Sequence, residues 1–296
     1  RRQLVQIAAL DVTEIAVNVL PATAASLADL AGAALEAGLH IATTSIDGAD
    51  QARLAVIGMG KTGGRELNYI SDVDVVYVVG QAQHSQTVGE PLSEEFLVDV
   101  GTRLATELAH VVSATAPEPP LWEVDAALRP EGKNGPLVRT LASHLAYYDR
   151  WAKSWEFQAL LKAPPLAGDR ILGAEYVEAL QPKVWTSAAR ENFVDSVQRM
   201  RERVTEFIPA EEVPYQLKLG PGGIRDIEFT VQLLQLVHGL ADDRIRQRGT
   251  LDALEALVAE GYIGRSDAAA FARDYRMLRV LEHRVQLRDL RRTHLM

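Results

Sequence analysis

Residues 53–79 read RLAVIGMGKTGGRELNYISDVDVVYVV. Arg53 to Gly58 is a short apolar run closed by a glycine, the mark of a buried strand. Asp72 to Val79 is a second run, rich in the β-branched residue that suits a pleated surface. The stretch from Gly58 to Gly64 carries too much glycine for regular structure, so two strands flank a glycine loop. In an extended chain the side chains alternate, which sends Asp72 and Asp74 to one face and Val73 and Val75 to the other, into the core. Two carboxylates then share one small volume. Both ionise at neutral pH from unperturbed values of about 3.9, and they repel unless a cation lies between them. Hard oxygen donors suit Mg²⁺ or Mn²⁺.

Working outward, Leu121 to Leu128 (LWEVDAAL) is a candidate third strand carrying Asp125. Paired beside the first carboxylates, it would bring all three to one edge of the sheet. Such a trio can hold two metals, and two metals roughly 3.5–4 Å apart clamp the attacking and leaving oxygens of an in-line displacement at phosphorus. That chemistry is nucleotidyl transfer. An Asp-x-Asp alone most often marks an exposed strand start; the glycine loop and Ser71 ahead of it supply the context, because free backbone amides beside the metals let a triphosphate approach. A competing parse takes Ala55 to Thr62 (AVIGMGKT) as a relaxed phosphate loop. It fails because Val56 and Ile57 belong to the strand and cannot curl around phosphate, and because Gly63-Gly64 weakens the helix that should follow.

The rest of the chain reads mainly as helix. Residues 22–39 carry Leu27, Leu30, Ala34 and Leu35 at helical spacing, with Gly38 as the expected stop. From Ser93 to Ser113, Phe96, Leu97, Val100, Leu104, Leu108 and Val111 fall on one face after a Ser93-Glu94-Glu95 start. After the turn-like residues 131–136, helical periodicity runs to Met296, broken near Pro164-Pro165 and between Pro214 and Gly223. Ile224, Ile227, Val231 and Leu234 mark the inner face of a helix led in by Pro221-Gly222-Gly223, whose free amides could receive an anion. Asp226 and Glu228 in its first turn suit either the helix dipole or the active site, and Lys218 and Arg225 are candidates for phosphate. His110, His144, His238 and His283 show no metal-ligand spacing and are read as packing or surface residues. Trp151, Trp155 and Phe157 are read as core or interdomain packing, and the charge-rich 276–292 as a solvated helix face.

The chain has 296 residues, 47% hydrophobic and 24% charged, enough for two domains each with a core. Its net charge of -9 and lack of a long basic run argue against nucleic acid as a partner. It contains no cysteine, so any metal is held by carboxylate, imidazole or carbonyl, and a cytoplasmic location is the expectation. The apolar runs are interrupted well before the roughly 20 residues of a membrane span, so no membrane partner is expected. Without an initiator methionine or a targeting segment at Arg1-Arg2-Gln3, the chain reads as a piece of a longer protein.

The string from Gly58 to Asp74 closely resembles the signature of glutamine synthetase adenylyltransferases, with Gly58-Met59 standing where the wider nucleotidyltransferase superfamily has Gly-Ser or Gly-Gly. VDAALRPEGKNGPLV (124–138), WEFQALLKA (155–163) and LKLGPGGIRDIEFTVQ (217–232) resemble further segments of the same family, in order. In the first of these Ala127 replaces an arginine usual in the family, which leaves Arg129 as the arginine expected to contact phosphate. The resemblance implies an α+β chain: a nucleotidyltransferase-fold domain over 1–165, a mixed sheet with flanking helices, then an all-helical domain over 166–296 packing on the active site. It implies metal binding by Asp72, Asp74 and Asp125, and nucleotide or phosphate binding by Gly58, Gly60, Lys61, Gly63, Gly64, Ser71, Arg129 and Lys218.

Members of this family carry two similar catalytic halves, one attaching AMP to a tyrosine of glutamine synthetase and one removing it by phosphorolysis. The form LKLGPGGIRDIEF and the closing LRVLEHRVQLRDLRRTHLM (278–296) resemble the AMP-removing half. The implied partners are glutamine synthetase, phosphate and ADP, or ATP for the attaching half, and a PII signalling protein, with Mg²⁺ or Mn²⁺ as cofactor. Two rivals stand beside this reading: the AMP-attaching half, and a non-catalytic module that binds PII or nucleotide.

Overall fold

The computed structural model describes residues 1–82, 92–114, 120–190, 192–206 and 208–296. Strand β1 (Ala52–Gly58) and strand β2 (Asp72–Gln81) run antiparallel, with Val56 opposite Tyr77 and Gly58 opposite Val75. Short strands β3 (Glu123–Asp125) and β4 (Val138–Thr140) lie parallel to β2, at its start and towards its end. On the far side of β1, strand β5 (Pro165–Gly168) pairs antiparallel. The sheet is therefore mixed, in the order β3–β2–β1–β5 with β4 also on β2, as the α+β reading expects.

Helices cover both faces, which is why β1 and β2 are apolar almost throughout rather than alternating. Helices α1 (Arg2–Thr13), α2 (Ala16–Ser45) and α4 (Glu94–Ser113) lie on one face, where Leu27, Leu35, Leu104 and Leu108 pack on Val56, Val75, Tyr77 and Val79. Helices α5 (Leu141–Arg150), α6 (Ser154–Leu160) and α7 (Arg170–Thr186) lie on the other, where Tyr148, Phe157 and Tyr176 pack on Ala55, Ile57, Val76 and Val78. Asp72 and Asp74 share the parity of Val76 and Val78, so they belong to the second face. They escape its core because they stand at the very start of β2.

The remaining elements are α3, a single turn at Gly60–Gly63 between β1 and β2, and α8 (Phe193–Glu206), α9 (Ile224–His238), α10 (Thr250–Ala259) and α11 (Arg265–Asp289). Val56 and Ile57 lie within β1 and α3 is one turn long, so no phosphate loop of the kinase type forms. The long α11 reaches back across the molecule to the first helices, where Arg284 binds Asp11 at 2.7 Å.

Several expectations need correction. The helix expected over 22–39 runs from Ala16 to Ser45 through Gly38, which does not stop it: a side chain there would meet Val112 Cγ2 at 3.1 Å, so the glycine serves the contact with α4. By length and composition α2 is apolar enough to cross a membrane, a feature the reading of interrupted apolar runs missed. Its Leu27, Ala28, Ala31 and Leu35 are buried in the main core instead. The strand expected over 121–128 lasts only three residues, because Asp125 Oδ1 accepts from Ala127 N at 2.7 Å and turns the chain. The segment near Pro164-Pro165, expected as a loop, contributes β5, and α7 packs on β1 and β2. The sheet and its covering helices thus extend past residue 165. Finally, α11 is not a solvated face: Arg279 is 1% exposed, and Glu282, His283 and Gln286 are each 0% exposed.

Candidate active site

The start of β2 opens into a cavity of about 360 Å³ between the sheet and helices α6, α8 and α9. The parallel register of β2 and β3 sets Asp74 directly opposite Asp125, with Asp72 two residues away on the same face. All three carboxylates line the cavity, together with Ser71, Gly60 and Lys61. Gly60 is needed here on two counts: its φ of +52° is left-handed, and a Cβ would lie 2.6 Å from Asp74 Oδ2. The chain bends under Asp74 because the residue has no side chain.

Electrostatics single out Asp74. Burial, and then the neighbouring Asp125 and Asp72, push its carboxyl up to about 7, with Lys218 and Arg292 opposing. Asp72 is tied to Arg292 Nη1 at 2.5 Å, and Asp125 holds its own turn. The wall also carries the bases Lys218, Arg225 and Arg292. Burial and the nearby Arg225 lower the Lys218 ammonium from its ordinary value, and no carboxylate lies within ion-pair distance of it among the described residues. The cavity mixes both signs of charge, since Glu228 of α9 and Lys61 and Lys162 line it as well. That arrangement suits a polyphosphate bridged to carboxylates by a divalent cation.

Among the described residues, no group of three or more His, Asp or Glu is drawn to one point at metal-ligand spacing. Asp72 and Asp125 are each engaged by a neighbour. The donor set nonetheless fits a hard cation: three carboxylates and no sulfur, with Asp74 crowded by like charge that a cation would relieve.

The other expected site residues divide. Lys61 is in the wall, but its ammonium binds both oxygens of Glu282 at 2.8 and 2.9 Å and Asn68 at 3.3 Å. Gly58 ends β1, donating to Pro164 O at 2.9 Å. Gly63 and Gly64 face a different cavity, beside α2. Gly63 is a packing glycine: a Cβ would lie 1.7 Å from Lys162 O. Arg129 turns away from the cavity, donating to the carbonyls of Ala126, Lys133 and Gly135, so it staples the 126–135 turn rather than facing phosphate. Asp226 binds Arg201 and Gly222 N at the start of α9, while Glu228 lines the cavity, so the two acids have different surroundings.

Three wall features went unread in the sequence. Arg292 lay in a run taken as solvated, Gln158 and Gln232 carried no spacing signal, and Trp155 was assigned to packing. Only the fold brings them to the cavity that Asp74 lines.

Comparison with known proteins gives the family. The family model for glutamate-ammonia ligase adenylyltransferase matches residues 1–179, and the model described as GlnD PII-uridylyltransferase matches residues 191–296. The chain is 59% identical over 307 residues to the bifunctional glutamine synthetase adenylyltransferase/adenylyl-removing enzyme of Leifsonia xyli, covering 100% of this chain and 30% of that protein. It is 59% identical over 296 residues to the Streptomyces coelicolor protein of the same name and 52% identical over 303 residues to that of Mycolicibacterium smegmatis, again over 100% of this chain and 29% of each relative. The chain thus spans about 30% of the length of the curated relatives it matches. The signature from Gly58 to Asp74, the mixed sheet that carries it and the match over residues 1–179 lead to one conclusion: the chain belongs to the glutamate-ammonia ligase adenylyltransferase family.

Proposed function

We propose that this chain removes AMP from an adenylylated tyrosine of glutamine synthetase by metal-dependent phosphorolysis. The observation that carries the reading is the cavity lined by Asp72, Asp74 and Asp125 together with Lys218, Arg225 and Arg292. The relatives' names speak of both adenylyl transfer and adenylyl removal. The forms LKLGPGGIRDIEF and LRVLEHRVQLRDLRRTHLM favour removal.

In that reaction an oxygen of inorganic phosphate bonds to the α-phosphorus of adenylyl-tyrosine, the bond from phosphorus to the tyrosine oxygen breaks, and ADP forms. The proton of the attacking phosphate ends on the departing phenolate, whose conjugate acid has a pKa of about 10. A divalent ion held by Asp72, Asp74 and Asp125, Mg²⁺ or Mn²⁺, would supply charge neutralisation at the transferring phosphoryl group. Lys218 and Arg225 bind and orient the incoming phosphate, and Arg292 exchanges Asp72 for a phosphate oxygen. No side-chain nucleophile is required. Glutamine synthetase is the protein substrate, and a PII signalling protein and a cytoplasmic setting belong to the same proposal.

The test is the phosphate dependence of AMP release. Adenylylated glutamine synthetase incubated with this chain, Mg²⁺ and phosphate should yield ADP, and no ADP without phosphate. Pyrophosphate release from ATP with unmodified glutamine synthetase, and no ADP in the first assay, would identify the attaching reaction instead. Neither product would leave a binding module.

A further inference from the structure

The helical side of the cavity carries apolar side chains beside its charges, with Arg225 over the Phe229 ring, 5.7 Å from its centroid. There α6, α8 and α9 supply Trp155, Met200 and Phe229, which the phosphoryl chemistry leaves without a role. Trp155 is followed three residues later by Gln158 on α6, and Phe229 three residues later by Gln232 on α9. Residues at that spacing share a helix face. Two helices therefore each present an aromatic ring and an amide to one cavity.

The two amides bind each other, Gln158 Nε2 donating to Gln232 Oε1 at 2.8 Å. Gln158 is only 5% exposed. Their pairing leaves the Gln158 carbonyl oxygen and the Gln232 amide nitrogen without a partner among the described residues. Turning both amides over again leaves one acceptor and one donor. A half-buried amide pair that keeps one acceptor and one donor free can read a planar edge that offers the complement.

We infer that this side of the cavity is a purine-base subsite, with Trp155, Met200 and Phe229 against the base faces and the Gln158–Gln232 pair reading the edge of adenine. The inference rests on the reading of the cavity as a nucleotide site and assigns the base its place there. Adenine offers an amino donor beside a ring-nitrogen acceptor, the match to an amide acceptor beside an amide donor. Hypoxanthine reverses both groups on its Watson–Crick edge. The rings accept any base, so the choice falls to the amides.

The test titrates the 296-residue chain, with Mg²⁺, against ADP, inosine diphosphate and inorganic pyrophosphate, following affinity by calorimetry and tryptophan fluorescence. The wild type should prefer ADP to inosine diphosphate, and ADP but not pyrophosphate should quench fluorescence. The quench should shrink in Trp155→Leu. Gln232→Glu, which puts an acceptor where the donor stood, should lower ADP affinity about tenfold and erase the preference, with pyrophosphate affinity held within about twofold. Gln232→Met should weaken ADP as well, and thermal melting of each variant separates a lost contact from a lost fold; should Gln232→Glu and Gln232→Met both unfold, the Trp155→Leu quench decides alone. Unchanged ADP affinity, base preference and quench in the folded variants overturn the subsite while leaving the nucleotide reading intact. Wild-type chain that binds neither ADP nor pyrophosphate overturns the nucleotide reading and the subsite with it.

Discussion

Among the described residues, Asp74 and Asp125 face each other across β2 and β3 with no hydrogen-bonded cation, whereas beneath α11 Glu282 and Glu66 each meet a buried base. Glu282 meets Lys61 at 2.8 Å, Arg279 at 2.9 Å and His294 at 2.9 Å. Glu66 meets Lys162 Nζ at 2.5 Å, Thr250 N at 2.6 Å and Tyr275 Oη at 3.2 Å. Burial opposes ionisation in both places. Beneath α11 the surrounding cations outweigh it and hold Glu282 well below its ordinary range, while at Asp74 neighbouring acids reinforce it. Charge that holds a fold together is met from within the chain. Charge left unmet at the end of a strand is held ready for something that arrives.

The comparison breaks most easily at Asp74. Asp74→Asn should lower phosphate-dependent ADP formation by about 100- to 1,000-fold, read in a coupled ADP assay, while leaving the fold as stable as before or more so. A variant that keeps its rate would strip the open cluster of its meaning.

Beneath α11 the expected effect falls on stability. Glu282→Gln leaves Lys61 and Arg279 buried without their shared counter-ion and should cost about 3–5 kcal/mol, measured as a lowered urea midpoint. A loss below about 1 kcal/mol would show that the buried cations find other partners.

The two clusters should also give stability opposite slopes with pH. Asp74 has a folded value of about 7 against an ordinary 3.8, so without divalent ions its contribution is complete below pH 3.8 and is lost as pH rises through 7. Asp11, brought down to about 2 against burial by His283, Arg284 and Tyr69, contributes above pH 3.8 and loses that as pH falls through 2; Glu282 behaves the same way. In metal-free buffer Asp74→Asn should therefore melt roughly 2–4 °C higher than wild type at pH 8 and no higher at pH 3.5. A uniform shift across that range would mean packing, not charge, was changed.

The smallest effect concerns Arg129. Because its guanidinium is spent on three backbone carbonyls, Arg129→Met should cost about 1 kcal/mol of stability and leave ADP affinity within about twofold of wild type. A large fall in ADP affinity would return Arg129 to the phosphate site.

Much of the sheet was legible because strand patterns are local. The apolar run ending at Gly58 and the Asp-x-Asp opening β2 follow from alternation alone, and the Asp125 pairing from the assumption that β3 lies beside β2. Arg292 was illegible because 220 residues separate it from Asp72. The same holds for Glu282, which α11 brings to Lys61, and for Gln158 and Gln232, 74 residues apart. Polar residues on a helix show no period that distinguishes a buried ion pair from a solvated face, so 276–292 was misread.

By itself the sequence determined where strands begin, which face Asp72 and Asp74 occupy and which family the chain resembles, because these depend on neighbours a few residues away. The tertiary structure decided which charges are quenched and which remain available. Coulomb and hydrogen-bond energies depend on distances of a few ångströms between side chains from remote segments, and only the packed helices set those distances.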